Sequence, residues 1–184
     1  MGSALRYTCA EEAILASPVG CGLIYTLQRV QWGFFGTLTF KSARLPERVR
    51  VTMFFALVRR LCRWFKIPFR KCVWALRQEP GEIGGRLHFH FLIAGLPPYA
   101  VQVATCMSMK AQWEKLGGGM ARVRKYDSRK QGLEYTVKCL NLTNRGANLY
   151  EVKKFSHSVD EVMLSDSIWD PANLSRVSDT LVTA

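Results

Sequence analysis

The run "GGRLHFHFLIAG", residues 84 to 95, most restricts what this chain can fold into. Apolar and polar residues alternate along it, which is typical of a β-strand that buries one face. Successive side chains of a strand point to opposite faces, so Leu87, Phe89 and Phe91 share one face. His88 and His90 share the other. The run therefore predicts a strand that holds two imidazoles side by side, opposite a hydrophobic face.

The preceding residues, "CVWALRQEPGEIGG", predict the partner strand of a hairpin, from Val73 to Glu79, followed by a glycine-rich turn. Its alternation puts Ala75, Arg77 and Glu79 on the face of the histidines. Two imidazoles and one carboxylate are three metal ligands that leave positions open for a substrate. This donor set suits Mn²⁺, Mg²⁺ or another divalent ion, and the spacing does not choose among them. A structural histidine pair and a solvated turn glutamate give the same pattern.

Three predicted helices and two further strands surround this hairpin. "FFGTLTF" at 34 to 40 and "ARVRKYD" at 121 to 127 alternate as strands. "LPERVRVTMFFALVRRLCRWF" has apolar residues at helical spacing, with Pro46 suited to the first turn. A second helix is predicted from Tyr99 to Leu116, with Val103, Met107 and Trp113 as apolar positions, and a third over "SRKQGLEYTVKCLNL", with Ser128 as its cap. The order predicts an α+β fold, an antiparallel sheet with helices on one face.

The charge of the chain predicts a polyanionic partner. Lys and Arg number 26 against 14 Asp and Glu, a net charge of +12. Residues 151 to 184 hold more acidic than basic residues, so the rest of the chain is more basic still. Nucleic acid is the first candidate partner and an anionic membrane surface the second. The six cysteines form no CxxC pair, which favours reduced thiols inside a cell, and no apolar run is long enough to span a membrane.

The third predicted helix carries Tyr135 and Lys138, which are neighbours at i, i+3 spacing. A lysine ammonium beside a tyrosine can stabilise a phenolate or the charge of a nearby phosphate. An ordinary amphipathic helix with a tyrosine at its boundary gives the same pattern.

"GTLTF" at 36 to 40, "HFH" at 88 to 90 and "EYTVKCLN" at 134 to 141 occur in this order. Together they resemble the three motifs of HUH endonucleases, specifically the rolling-circle replication initiator (Rep) proteins of plasmids, phages and viruses with single-stranded DNA. The resemblance covers residues 34 to 141. It implies an RRM/ferredoxin-like sheet of about five strands and a nuclease domain at 1 to 144. An acidic tail, 145 to 184, is expected to be partly disordered.

The resemblance also implies the roles of individual residues. His88 and His90 would bind the divalent metal, Mg²⁺ or Mn²⁺, with Glu79 as third ligand. Tyr135 would attack the scissile phosphate of single-stranded DNA at a replication origin hairpin and form a 5′-phosphotyrosine link, with Lys138 offsetting negative charge. The residues suggested for contacts with DNA phosphates are Arg77, Arg122, Arg124 and Lys125.

Two departures from the family pattern bear on the mechanism. Cys139 stands where initiators with paired tyrosines carry the second one, so a single catalytic tyrosine is expected, with Tyr126 an outside candidate for a second. No G-x-x-x-x-G-K phosphate loop is present. A host helicase and polymerase are therefore the expected partners, oligomerisation is open, and the expected location is intracellular.

Two other functions fit the same residues. A single-tyrosine HUH transposase or relaxase would share the metal pair and the tyrosine. A non-catalytic RRM-like protein would bind single-stranded nucleic acid through basic and aromatic residues without cutting it.

Overall fold

The computed structural model describes residues 27–80, 86–130, 132–137 and 162–169. The strands are β1 (Phe34–Phe40), β2 (Val73–Pro80), β3 (Leu87–Ala94), β4 (Gly118–Lys125) and β5 (Val162–Leu164). The helices are α1 (Glu47–Trp64), α2 (Val103–Lys115) and α3 (Gly132–Val137). In this part of the chain, no helix has the length and apolar character needed to cross a membrane.

The five strands form one antiparallel sheet in the order β4-β1-β3-β2-β5. The first four strands, with α1 and α2 between them, follow the β-α-β-β-α-β plan of ferredoxin-like folds. The predicted α+β fold is confirmed. The strand boundaries of the hairpin agree with the predicted ones to within one residue.

Helices α1 and α2 cover one face of the sheet, which we call the core face. Apolar residues of α1 recur at helical spacing and are buried at Val51, Phe54, Val58 and Leu61. They pack against the apolar residues that β1 and β3 direct to this face. The core face thus accounts for the larger hydrophobic cluster of the described residues.

Helix α2 differs from its prediction in its first residue and in which of its apolar residues are buried. It begins at Val103, after a short 3₁₀ turn at Pro98–Ala100. Val103 and Met107, predicted as apolar positions, are 68% and 57% exposed, whereas Cys106, Met109 and Trp113 are buried. Cys106, Met109 and Trp113 form the face of the helix that packs on the sheet, and the Trp113 indole donates a hydrogen bond to the carbonyl of Thr39. The helix ends just before the glycines at 117 to 119, and Gly117 has the positive φ (+87°) that glycine adopts readily.

The opposite face carries the histidines, and we call it the site face. Its half at the Val73 end of β2 is apolar and covered: Val73, Ala75, Leu92 and Ala94 pack against Leu27, Val30, Trp32, Leu133 and Ile168. Helix α3 supplies Leu133, so this helix lies on the site face. The sheet is therefore covered on one face throughout and on the other face only in part.

Two short segments bear on local predictions. Within the expected acidic tail, 145 to 184, Val162–Leu164 pairs with β2 as the fifth strand, and Ile168 is fully buried. The sequence predicted Ser128 as the cap of the third helix. The residue whose side chain caps the short turn before that helix is instead Asp127. Its carboxylate accepts hydrogen bonds from the backbone and side chain of Arg129, while Ser128 lies within the 3₁₀ turn Ser128–Lys130.

Candidate metal centre on the site face

Strands β2 and β3 bring Glu79, His88 and His90 together. Glu79 lies directly opposite His88 in the antiparallel register, and His90 is two residues further along the same face. Nε2 of His90 lies 2.6 Å from Oε1 of Glu79, and Nε2 of His88 lies 3.1 Å from the same oxygen. The two Nε2 atoms are 2.9 Å apart. The three residues predicted from the hairpin thus direct one donor atom each to a single point.

These separations match the ligand spacing around a metal ion. Two ligands at right angles around an octahedral ion, each about 2.1 Å from it, lie about 3.0 Å apart. Nε2 of both histidines and one carboxylate oxygen of Glu79 could therefore hold a metal ion from one side. Glu79 and His90 are buried, but the side chain of His88 is 15% exposed. The triad is therefore open to solvent beside His88.

Arg77 holds the carboxylate of Glu79 in place. It lies two residues earlier on the same face of β2, and its Nη2 is 2.6 Å from Oε2 of Glu79, the oxygen that does not face the histidines. Burial by itself would raise the pKa of Glu79, but the hydrogen bonds from His88 and His90 and the charge of Arg77 outweigh it. The pKa is held well below its ordinary value, so Glu79 is ionised at neutral pH.

Thr37 fixes the ring of His90 from the other side. It lies opposite His90 in the β1–β3 register, and its Oγ1 is 3.0 Å from Nδ1. A hydroxyl can both donate and accept. It can therefore donate to Nδ1 while Nε2–H donates to Glu79, or accept from Nδ1–H when Nε2 ligates a metal. Burial lowers the pKa of His90, more than the neighbouring carboxylate raises it, so this imidazole is neutral at neutral pH.

An aromatic residue and an arginine continue the site face toward the edge strand β4. The ring of Phe35 lies parallel to that of His90, with an interplanar angle of 10° and centroids 6.3 Å apart. The guanidinium of Arg124 sits over the same Phe35 ring, 4.8 Å from its centroid. A cation over an aromatic face is a favourable contact. The strip from His90 to Arg124 combines ring faces with positive charge.

The suggested DNA contacts fall into two groups. Arg122 and Arg124 lie on the site face at the exposed edge strand, and Lys125 is exposed at the end of that strand. Arg77 is different, because it is only 2% exposed and is bonded to Glu79. Little of its surface is left for a DNA phosphate, and we assign it instead to the support of Glu79.

Helix α3 brings the backbone of Tyr135 to the site face. Gly132 at its start lies against the ring of Phe35, and an added Cβ there would come within 3.0 Å of that ring. Leu133 packs against the apolar half of the same face. Lys138 lies outside the described residues. Tyr126, the outside candidate for a second tyrosine, is half-buried in the same apolar cluster.

Phe35 is a site residue that the sequence did not indicate. Thr37 belongs to the motif "GTLTF", which is predicted to be a structural strand beneath the site rather than part of the chemistry, and it lies in that strand beside the histidines. The available signal was the alternation of β1, which puts residues 35, 37 and 39 on one face. These residues lie beside the histidines only because β1 pairs with β3, and this pairing could not be predicted from the sequence.

No protein-family model matches this chain, and no curated protein matches it.

Proposed function

We propose that this chain is a metal-dependent nuclease of the HUH type that nicks and rejoins single-stranded DNA to start rolling-circle replication. One observation carries the proposal. Three donor atoms from Glu79, His88 and His90 converge on a sheet face that also holds the helix with Tyr135. A structural histidine pair would not require a buried carboxylate at its centre and an open side beside an exposed arginine edge.

The positive charge supports a nucleic-acid substrate. Arg122 and Arg124 stand on the open side of the same face, and Lys125 ends their strand. Cations placed along a groove gain affinity for nucleic acid by releasing counterions from phosphates. The half-buried ring of Phe35, with the guanidinium of Arg124 over it, adds an aromatic residue to this cationic edge. Single-stranded DNA at an origin hairpin is the substrate that we propose.

The residues of this chain divide the reaction between them. The metal, Mg²⁺ or Mn²⁺, supplies polarisation of the scissile phosphate when it is bound. Glu79, His88 and His90 hold it, and Arg77 and Thr37 orient two of these ligands. The phenol oxygen of Tyr135 attacks phosphorus, the bond to the 3′ oxygen breaks, and a 3′-OH is released. Lys138 offsets the negative charge that develops on the phosphate during this attack.

The phosphotyrosine link keeps the energy of the phosphodiester for rejoining. A released 3′-OH that attacks this link restores the DNA strand and frees Tyr135. With Cys139 in place of a second tyrosine, a second turnover or a second subunit completes termination. The host replication machinery uses the 3′-OH as a primer, with unwinding by a host helicase.

The proposed function is tested by looking for a covalent adduct between the protein and DNA. The protein is incubated with Mn²⁺ and a labelled pool of partly randomised single-stranded DNA, and the products are separated on a denaturing gel. We expect DNA attached to the wild-type protein. The adduct should be absent from Tyr135→Phe and from the double variant His88→Ala/His90→Ala. Tyr99→Phe is the matched control, since Tyr99 is 68% exposed on the loop before α2.

Three outcomes would count against the proposal or change its class. An adduct that persists in Tyr135→Phe would assign the nucleophile to another residue, with Tyr126→Phe the next variant to test. DNA binding without an adduct, in protein shown to bind Mn²⁺, would favour a non-catalytic binding module. A captured strand that maps to the end of a mobile element, rather than to an origin hairpin, would favour a transposase or relaxase.

A further inference from the structure

A groove lies on the edge of the molecule beyond Arg124, where α2 faces β4 and the residues that follow it. We call it the α2–β4 groove. Val103, Met107 and Lys110 line it from α2, Arg124 and Lys125 from β4, and residues 126–130 complete it. Its volume is about 740 Å³. None of these residues belongs to the metal centre.

The groove combines an apolar floor with a cationic rim. Val103 and Met107 are 68% and 57% exposed, although both lie in a helix whose other side is in the core. Lys110, Lys125 and Lys130 surround them. The acidic residue of the lining, Asp127, is neutralised by the two-point contact with Arg129 at 3.0 and 3.2 Å. Positive charge is therefore left over around an apolar surface open to solvent.

We propose that the α2–β4 groove binds the single-stranded DNA that flanks the nicked segment, and this rests on the proposed function of the site face. Its bases would pack on Val103 and Met107, and its phosphates would contact the lysines of the rim. Backbone charge with flat apolar bases is the chemistry that such a groove matches. An acidic protein segment would use the cations but would leave the apolar floor uncovered unless it also carried apolar side chains.

The groove is continuous with the metal centre through three contacts. His90 of the centre lies parallel to Phe35, Phe35 lies beneath the guanidinium of Arg124, and Arg124 lines the groove. A strand that crosses the site face over Phe35 reaches the edge strand β4 at Arg124. The groove begins at that edge. A DNA strand that contacts Arg124 therefore touches both surfaces.

Charge reversal on α2 tests the proposal with a matched control on the same helix. Lys110 lines the groove, whereas Lys115 is exposed at the end of α2 and does not line it. We compare Lys110→Glu with Lys115→Glu by fluorescence anisotropy of a labelled oligothymidylate of about 20 nucleotides. EDTA is present, so that binding is measured without the metal. Thermal melts check that both variants are folded.

We expect Lys110→Glu to weaken binding by about tenfold, the effect of losing a charge-assisted contact. The dependence of log K on log salt should become shallower by about 0.7 for the phosphate contact removed. Lys115→Glu should weaken binding by about twofold or less, since salt screens charges beyond about 10 Å at 0.1 M. Met107→Gln should weaken binding severalfold without changing the salt dependence.

Equal effects of Lys110→Glu and Lys115→Glu would overturn the groove assignment, even if the wild-type protein binds DNA and forms the adduct. Absence of DNA binding by the wild type, in EDTA and also in Mn²⁺, would overturn the groove and the proposed function together. Adduct formation by Lys110→Glu at saturating DNA should match the wild type, because the lysine is outside the metal centre. If Lys110→Glu binds DNA more weakly but forms as much adduct as the wild type at saturating DNA, the groove is a DNA-binding surface separate from the metal centre.

Discussion

The two faces of the sheet are built from the same strands and differ in what covers them. On β3, Phe89 points into the core face, is fully buried and packs edge-on against Phe40. Its neighbour His88 points to the site face and keeps part of its ring exposed. One strand thus contributes both to the energy of folding and to a candidate metal centre. The alternation of side chains separates the two tasks at a spacing of one residue.

The comparison also shows why the candidate metal centre lies where it does. The site face has an apolar half, sealed by Leu133, Ile168 and the residues near Leu27, and a polar half that remains open. His90 and Glu79 lie at the boundary between the two halves, buried themselves but next to solvent. Ligands at such a boundary are held rigidly by the packed half while the open half admits a substrate.

The largest effect should come from substituting neighbouring residues on the two faces. Phe89→Ala should lower the free energy of unfolding by about 3 to 5 kcal/mol, because it opens a cavity in the core. His88→Ala should change it by about 1 kcal/mol or less, since that side chain is partly exposed, but should abolish Mn²⁺ binding. Urea denaturation and calorimetric titration measure the two quantities. A large loss of stability in His88→Ala would mean that the site face is also a structural core.

Removing Arg77 should separate the stability of the site face from its affinity for metal. Arg77→Met leaves Glu79 without its buried counter-charge and should cost about 3 kcal/mol in the absence of metal. Mn²⁺ should then restore more stability than it adds to the wild type, since it replaces the missing charge. Arg122→Met, on the exposed edge strand, is the control and should change stability by about 0.5 kcal/mol or less. Equal Mn²⁺ effects in Arg77→Met and wild type would contradict the assigned role of Arg77.

The metal alone should stabilise the folded protein. At a concentration about one hundredfold above its Kd, Mn²⁺ should raise the free energy of unfolding by about 2.7 kcal/mol, because it binds only the assembled triad. EDTA should reverse the shift of Tm. The shift should be absent from His88→Ala. A shift of equal size in that variant would place the bound ion elsewhere on the protein.

The smallest effect should come from the residues of β1 on the site face. Thr37→Val removes the hydroxyl that orients His90 and should weaken Mn²⁺ binding by about tenfold, the usual cost of losing such a partner. Thr39→Val is matched in chemistry and strand, but the Thr39 hydroxyl donates to the carbonyl of Met120 instead. Its Mn²⁺ affinity should remain that of the wild type. Equal losses in both variants would show that strand β1 as a whole, rather than the hydrogen bond to His90, matters.

The sequence by itself determined the features that depend on local periodicity. The alternation of residues 87 to 91 assigned His88 and His90 to one face, and the hairpin added Glu79 because antiparallel pairing follows from a short turn. The apolar spacing of α1 likewise predicted a helix with one side packed on the sheet. These features depend on the geometry of one strand, one turn or one helix.

Only the tertiary structure decided the features that depend on contacts between distant residues. The three-residue strand Val162–Leu164 is too short to show a period, and its place beside β2 depends on the free edge of that strand. Val103 and Met107 are exposed because α2 packs on the sheet through Cys106, Met109 and Trp113, a choice of face that depends on the contact of Trp113 with β1. The burial of Arg77 required the ion pair with Glu79, since a charge without such a partner is too costly to remove from water. Sequence periodicity shows which residues share a face, whereas long-range packing decides what covers that face.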